Sequence, residues 1–218
     1  MKLVFHYSVE NFSNTYVLGP DNGGDAILVD PGVLDVRLLE AIEDNEYTIR
    51  WVLITRCQPQ HLRGLRTLKK VYDAELFSRN DRVLDFPCQT VNPGTHLQLG
   101  NFRVDALCFP ELSNDSVAYR VGNWVFCGDL LSAGQPPRTS SAYTRANMAI
   151  ALERRFFTWQ DDTLIFPGEG PPSLMRGEKL FNRVRKSAGL EVRDLAGLFE
   201  SPREVGPETI GEPPHREV

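Results

Sequence analysis

The sequence predicts an α/β fold, a layered sandwich made of two pseudo-repeated halves. Short apolar segments bounded by turn residues are typical of strands, and longer segments with apolar residues at three- and four-residue spacing are typical of helices. The succession of strands and helices occurs once before residue 97 and again after it. A chain of 218 residues with 41% hydrophobic content can bury a substantial core, and we predict one domain over residues 1–200.

The first half contains four predicted strands and two predicted helices. The strands are expected at residues 2–5, 15–18, 26–29 and 51–54, with a hairpin turn at residues 21–24. A helix is predicted within residues 33–45, where Leu34, Leu38, Leu39 and Ile42 form one apolar stripe. Leu62, Leu65, Leu68 and Tyr72 predict a second amphipathic helix.

The second half repeats this pattern. Strands are predicted at residues 102–107, 117–121, 124–127 and 163–166, and helices at residues 142–157 and 173–188. The last helix is expected to bury Leu174, Leu180, Phe181 and Val184. Residues 201–218 contain four prolines, scattered charge and little apolar content, and they predict a flexible tail that includes His215.

Charge and composition limit the partners and the location. A net charge of -5 disfavours a surface for nucleic acid, and no run approaches the apolar length of a membrane span. His6 and Glu10 interrupt what would have to be the apolar region of a signal peptide, so we expect a cytoplasmic protein without a membrane partner. The four cysteines have no CxxC spacing and are expected to be reduced.

Four short motifs occur in an order typical of one protein family. They are Val29-Asp30-Pro31-Gly32, Ile54-Thr55, Cys127-Gly128-Asp129 and Phe166-Pro167-Gly168. Together they resemble the metallo-β-lactamase-fold hydrolases, including the glyoxalase II-like branch, over residues 2–175. This resemblance implies a four-layer αββα sandwich with a dinuclear metal site.

Most of the metal ligands that the resemblance implies are replaced. The family has His-x-His-x-Asp-His after the strand that ends at Thr55, whereas this chain has Arg56, Gln58 and Gln60 at the first three ligand positions and keeps only His61. By the same resemblance, Leu112 stands where a later histidine is expected and Glu169 where the last one is expected, while the bridging aspartate is kept as Asp129. These seven residues form the predicted pocket at the former metal site.

The replacements leave two hypotheses for this site. A guanidinium has no usable lone pair and leucine has no donor atom, so no metal is expected at the first position. At the second position His61, Asp129 and Glu169, with Gln60, are a possible ligand set for one Zn, Mn or Fe ion. In the alternative, which we favour, Arg56 replaces the metal charge and forms a partly buried ion pair with Asp129 or Glu169.

Other candidate residues have ordinary structural interpretations. Asp30 is expected to tie loops together through backbone hydrogen bonds. Cys57 and Cys127 flank the former metal loops, so either is a thiol ligand or nucleophile if it faces the pocket, and a buried inert thiol otherwise. His6 and His96 match no ligand position.

Three functions follow from this reading. The first is a catalytically silent protein that uses the pocket for an unknown small molecule or for protein association. The second is a divergent mononuclear metal hydrolase acting on an ester, thioester or lactone, a substrate class that rests on fold analogy. The third is a structural subunit, for example in a homodimer.

Overall fold

The computed structural model describes residues 1–184 and arranges them in four layers in the order helix, sheet, sheet, helix. The predicted α/β class and the αββα sandwich are confirmed. Residues 185–200 of the predicted domain, the tail at 201–218 and the end of the last predicted helix lie outside the described residues.

The first half forms a six-stranded sheet with three helices on its outer face, and a separate two-stranded sheet. In chain order its elements are β1 (Lys2–Ser8), β2 (Ser13–Gly19), β3 (Gly24–Val29), α1 (Val36–Asp44), β4 (Tyr47–Leu53), α2 (Pro59–Leu62), α3 (Leu65–Val71), β5 (Glu75–Ser78), β6 (Arg82–Val83), β7 (Phe86–Pro87) and β8 (Gln89–Thr90). The six-stranded sheet has the order β1-β2-β3-β4-β5-β8. β1 to β3 are antiparallel, whereas α1 returns the chain to a parallel β4.

The second half forms the other six-stranded sheet. Its elements are β9 (His96–Leu99), β10 (Phe102–Cys108), β11 (Val117–Val121), β12 (Trp124–Gly128), α4 (Ala142–Arg155), β13 (Leu164–Pro167), β14 (Ser173–Leu174) and α5 (Met175–Phe181). β10 to β12 are antiparallel, and α4 leads to a parallel β13. This is the succession of β1 to β4, so the two pseudo-repeated halves are present.

The two sheets share an apolar layer. Tyr16 of the first sheet packs against Phe126 and Phe166 of the second, with ring centroids 5.3 Å from each, and the two phenylalanines stack at 5.2 Å. On the outer faces, Leu38 of α1 and Leu152 of α4 are fully buried. The helices therefore cover the sheets as the apolar stripes predict.

The predicted helix through Leu62 and Tyr72 is divided into α2 and α3 at Gly64. The N–H of Gly64 donates to the carbonyl of Pro31 at 2.8 Å, and a Cβ at this position would lie 2.8 Å from the backbone nitrogen of Leu34. The loop that precedes α1 thus passes so close to residue 64 that only glycine, which has no Cβ, fits there.

The predicted buried stripe of the last helix is wrong for two of its residues. Leu174 is 47% exposed and Phe181 is 65% exposed, whereas Met175 and Glu178 are buried. Residues 173–174 pair with β13 as β14, so the helix begins at Met175 and turns a different face inward. Among the helices of residues 1–184, none has the length and apolar character needed to cross a bilayer.

Candidate functional site

The candidate site lies where loops from the two halves meet. Asp30 follows β3 and Arg56 follows β4, while Asp129 follows β12 and Gly168 follows β13. Each of these two strand pairs is parallel, so the carboxyl ends of its strands share one sheet edge. The fold therefore brings together residues that are far apart in the sequence.

Both carboxylate oxygens of Asp129 are occupied by side chains of the first half. Arg56 Nη1 lies 2.8 Å from Oδ2, and His61 Nε2 lies 2.9 Å from Oδ1. Burial would raise the pKa of the Asp129 carboxyl, but His61 and Arg56 hold that pKa below its usual value. The structure thus contains the partly buried Arg56 ion pair that the sequence favours.

His61 is fully buried between two carboxylates. Its Nδ1 lies 3.0 Å from Oδ2 of Asp30, a close ion-pair contact that falls outside hydrogen-bond geometry. Burial alone would lower the pKa of His61, but Asp30 and Asp129 raise it to about 10. The imidazole is therefore a cation that donates to Asp129.

Asp30 holds the ends of β3 and β4 together. Its Oδ1 accepts a hydrogen bond from the backbone N–H of Thr55 at 2.8 Å, and its Oδ2 accepts one from Thr55 Oγ1 at 2.6 Å. The predicted loop-tying role of Asp30 is confirmed, and its contact with His61 adds a second role.

Gly168 gives His61 the room it needs. A Cβ at residue 168 would lie 2.5 Å from Cε1 of His61. The loop is held by a hydrogen bond from Gly168 N–H to the Gly128 carbonyl at 2.9 Å and by one from Asn14 N–H to the Gly168 carbonyl at 2.8 Å. The Pro-Gly motif after β13 thus serves close packing against the imidazole.

Asp115 is a site residue that the sequence reasoning missed. Its Oδ2 accepts a hydrogen bond from the backbone N–H of Cys57 at 2.8 Å, and its Oδ1 lies 3.9 Å from Arg56 Nε. Arg56 therefore lies between two carboxylates, Asp115 and Asp129. The sequence feature that could have indicated it is its position: an acidic residue in the loop between β10 and β11, three residues after Leu112.

A pocket of about 840 Å³ opens beside Arg56 and Asp129. Its lining includes Arg56, Gln58, Gln60, Asp129 and Glu169, five of the seven predicted residues. The other two predicted residues do not line the pocket. His61 lies behind Asp129. Leu112 packs against the apolar layer under α4, because the turn at residues 109–116 carries its side chain away from the pocket. The rest of the lining comes mainly from residues 131–139, with Arg145 and Arg183, and was not predicted.

Glu169 does not join His61 and Asp129. Its Oε2 lies 3.5 Å from Arg138 Nη2, and its backbone carbonyl accepts a hydrogen bond from Ser132 Oγ at 2.8 Å. The hypothesis of a mononuclear metal site needs Glu169 to bind the same ion as His61 and Asp129. The carboxylate instead faces the outer wall of the pocket.

The residues present do not fit the dinuclear centre of the family. Within residues 1–184, no three His, Cys, Asp or Glu side chains converge in an arrangement that would hold a metal ion. Arg56 offers no lone pair, and the protonated His61 is a donor on its Asp129 side. A metal at Asp129 would have to displace both cations, so no chemical step is assigned to one.

Neither candidate thiol faces the pocket as a reactive group. Cys127 is 1% exposed, and burial raises the pKa of its thiol. Cys57 is half-buried, its Sγ accepts from Asn80 Nδ2 at 3.3 Å, and burial followed by Asp115 raises its pKa to about 11. His6 contacts Asp35 and His96 contacts Asp105, while His215 lies outside the described residues.

Sequence comparison finds relatives although no family model matches the chain. An uncharacterised protein of Treponema pallidum (strain Nichols) is 30% identical over 179 residues, which cover 79% of this chain and 93% of that protein. A hydroxyacylglutathione hydrolase of Yersinia enterocolitica is 25% identical over 130 residues, which cover 58% of this chain and 51% of the hydrolase. The chain thus matches about half the length of that enzyme.

Solved structures of metallo-β-lactamase-fold proteins superpose on this chain. The ETHE1 structure from Myxococcus xanthus superposes with a TM-score of 0.75 at 24% identity and covers 87% of this chain and 85% of that one. The BLEG-1 B3 metallo-β-lactamase superposes with a TM-score of 0.73 at 18% identity and covers 83% and 98%. The chain has the metallo-β-lactamase fold. The fold that the four motifs indicated by resemblance is therefore confirmed, and the hydroxyacylglutathione hydrolases are sequence relatives at low identity.

The shared fold places the site in context. In this chain the loop after β4 carries Arg56, and the loop after β12 carries the aspartate that Arg56 contacts. The fold is kept, and the guanidinium of Arg56 forms an ion pair with the Asp129 carboxylate.

Proposed function

We propose that this chain is a metallo-β-lactamase-like pseudoenzyme that binds a small molecule in its pocket without a metal centre. The observation that carries the proposal is the double occupation of Asp129, whose two oxygens contact Arg56 at 2.8 Å and His61 at 2.9 Å. Each oxygen keeps a further lone pair, but its charge is already compensated, so a metal ion would have to compete with Arg56 and His61 for this carboxylate.

Hydrolysis by a metal centre needs an ion with an open coordination position, where bound water becomes acidic enough to attack. The donor set here supports no such position. The activity of the Yersinia hydroxyacylglutathione hydrolase is therefore not transferred to this chain, which is 25% identical to it over part of its length.

The pocket supports a binding role. Its volume of about 840 Å³ falls in the range of small-molecule sites, and its wall mixes apolar Leu131 and Pro137 with polar Gln58 and Ser132. Protein association through another surface, including a homodimer, stays a prediction.

The test is elemental analysis of untagged protein, purified without chelator and then offered Zn²⁺, Mn²⁺ or Fe²⁺. We expect far less than one metal ion per chain and no hydrolysis of a hydroxyacylglutathione thioester. A His61→Ala variant is the control for any metal found.

Near-stoichiometric metal that the His61→Ala variant loses would overturn the proposal. It would support the competing hypothesis of a mononuclear hydrolase with His61, Asp129 and Glu169 as ligands. Thioester hydrolysis that depends on added metal would overturn the proposal in the same way.

A further inference from the structure

The charges of the pocket are divided between its base and its outer wall. At the base, Arg56 and His61 face the carboxylates of Asp30, Asp115 and Asp129, so the base carries no excess of positive charge. The outer wall carries three arginines, Arg138, Arg145 and Arg183, and one carboxylate, Glu169. Positive charge is therefore concentrated at the wall, although the whole chain has a net charge of -5.

Two of the wall arginines are poorly compensated. Arg138 is 94% exposed at its side chain, and its contact with Glu169 is 3.5 Å long, which is weak in water. The side chain of Arg145 is exposed and makes no ion pair or hydrogen bond within residues 1–184. Both guanidinium groups thus keep donors for a ligand.

The wall is held in place by partly buried hydrogen bonds. The N–H of Gly134 donates to the carboxylate of Glu178 at 3.1 Å, and Asn182 Nδ2 donates to the Gln135 carbonyl at 3.2 Å. Glu178 is 1% exposed, and Pro136 and Pro137 restrict the backbone that leads to Arg138. A fixed backbone lowers the entropy that a ligand must overcome on binding.

One polar atom on this wall lacks a partner. The Oγ1 of Thr139 is buried and makes no hydrogen bond within the described part of the chain. An unpaired buried hydroxyl is costly, and Thr139 adjoins Arg138 in the lining of the pocket. An acceptor group of a ligand at the wall would pair with the two guanidinium groups, and a rotation of the Thr139 side chain toward the pocket would let it satisfy this hydroxyl as well.

We propose that Arg138, Arg145 and Thr139 form an anion-binding wall that holds the carboxylate or phosphate group of a small organic molecule. This inference rests on the proposed function, because it names the ligand class of the same pocket. A guanidinium group can donate two parallel N–H hydrogen bonds to two oxygens of either a carboxylate or a phosphate. The chemistry that the two ligand classes share is therefore an anionic group with two acceptor oxygens. The base, where carboxylates outnumber basic side chains, and the glutamine amides receive the uncharged part of the molecule.

The test is isothermal titration calorimetry of the full chain with citrate and, separately, with inorganic phosphate, at constant ionic strength. The variants are Arg138→Gln, Arg145→Gln and the double variant, and glycerol is the uncharged control ligand. Arg154→Gln is the matched control protein, because Arg154 is an exposed arginine of the last turn of α4, outside the pocket. All of these substitutions are at exposed side chains, and circular dichroism checks their folding.

We expect saturable binding of at least one anion, weakened about tenfold or more in the double variant, because the charge-assisted hydrogen bonds of both guanidinium groups are lost. The Arg154→Gln protein should bind within about twofold of the native chain. Stronger binding of citrate would assign a carboxylate ligand, and stronger binding of phosphate a phosphorylated one.

Absence of saturable binding by both anions, or equal affinity in the double variant, would overturn the inference. The metal content of the same preparation is measured separately. Bound metal therefore marks a failure of the proposed function, whereas unchanged anion affinity in metal-free protein marks a failure of the anion-binding wall alone.

Discussion

At the scale of single residues, Arg56 is the substitution that changes this site most. In place of a neutral ligand it brings a permanent cation, which contacts Asp129 at 2.8 Å and approaches Asp115 at 3.9 Å. The side chains of Arg56 and Asp129 are 18% and 16% exposed, so water screens their contact only partly. The Arg56–Asp129 ion pair therefore contributes to the stability of the fold, and Arg56 also removes a metal-ligand position.

Arg56→Ala should lower the free energy of unfolding by about 2 kcal/mol, because it leaves the Asp129 carboxylate with a single cationic partner in a largely buried place. Chemical denaturation measures this change. Arg50→Ala is the matched control, since the Arg50–Asp25 pair is exposed and its loss should cost less than about 1 kcal/mol. Equal losses in the two variants would mean that Arg56 contributes no more than a surface arginine.

Cys57 should react slowly with iodoacetamide at pH 8. Burial and Asp115 raise its pKa from 9.0 to about 11, so it carries about a hundredfold less thiolate than an ordinary thiol well below both values. The rate should rise about tenfold per pH unit until the pH approaches that pKa, as followed by peptide mass spectrometry. Rapid labelling that levels off below pH 8 would identify Cys57 as an activated nucleophile.

Part of this site could be predicted from the sequence and part could not. The motifs after β3, β4, β12 and β13 located Asp30, Arg56, His61 and Asp129, because the superfamily resemblance fixes which loops meet. Asp115 was missed because its contact with Cys57 joins loops 58 residues apart in the sequence, which no local pattern reports. Leu112 was assigned by counting along a turn, and the turn carries it toward the helix layer instead.

At the scale of elements, α5 has a role that its apolar pattern did not reveal. Glu178 accepts hydrogen bonds from Gly134 N–H, from Ser173 Oγ at 2.6 Å and from Asn182 Nδ2 at 2.6 Å. The helix therefore fixes the segment that leads to Arg138 through a buried polar cluster. A search for apolar stripes predicted Leu174 and Phe181 as buried, because it gives no weight to a buried carboxylate.

Glu178→Ala should destabilise the fold by about 1–3 kcal/mol and loosen the pocket wall, because it leaves buried donors without an acceptor. Hydrogen exchange of peptides that cover residues 132–140 should become faster, whereas exchange in β3 should change little. Glu40→Ala on the exposed face of α1 is the control. Unchanged exchange at residues 132–140 would show that Glu178 does not anchor the wall.

At the scale of the whole molecule, the two pseudo-repeated halves share one apolar layer. Tyr16 from the first sheet contacts Phe126 and Phe166 from the second, and the ion pair of Arg56 with Asp129 joins the same two halves at the site. The repeat was visible in the sequence from the order of strands and helices. The contacts between the halves were not, since periodicity describes each element separately.

Phe126→Ala should lower the free energy of unfolding by about 3–5 kcal/mol and keep a single unfolding transition, because the cavity lies in a layer that both sheets share. Far-UV circular dichroism and tryptophan fluorescence should give coincident denaturation curves. Ile150→Ala, at a 48% exposed position of α4, should have a small effect. Separate transitions by the two probes would mean that the halves unfold independently.

The paired carboxylate of Asp129 also limits which single substitutions this site tolerates. Exchange of Arg56 alone for a histidine would leave a buried negative charge short of one cation, and exchange of Asp129 alone would leave a guanidinium and an imidazolium beside each other. Either first step destabilises the protein before any new ligand set is complete. A variant of this chain that binds a metal here would therefore need several substitutions made together, because each single exchange leaves an uncompensated buried charge.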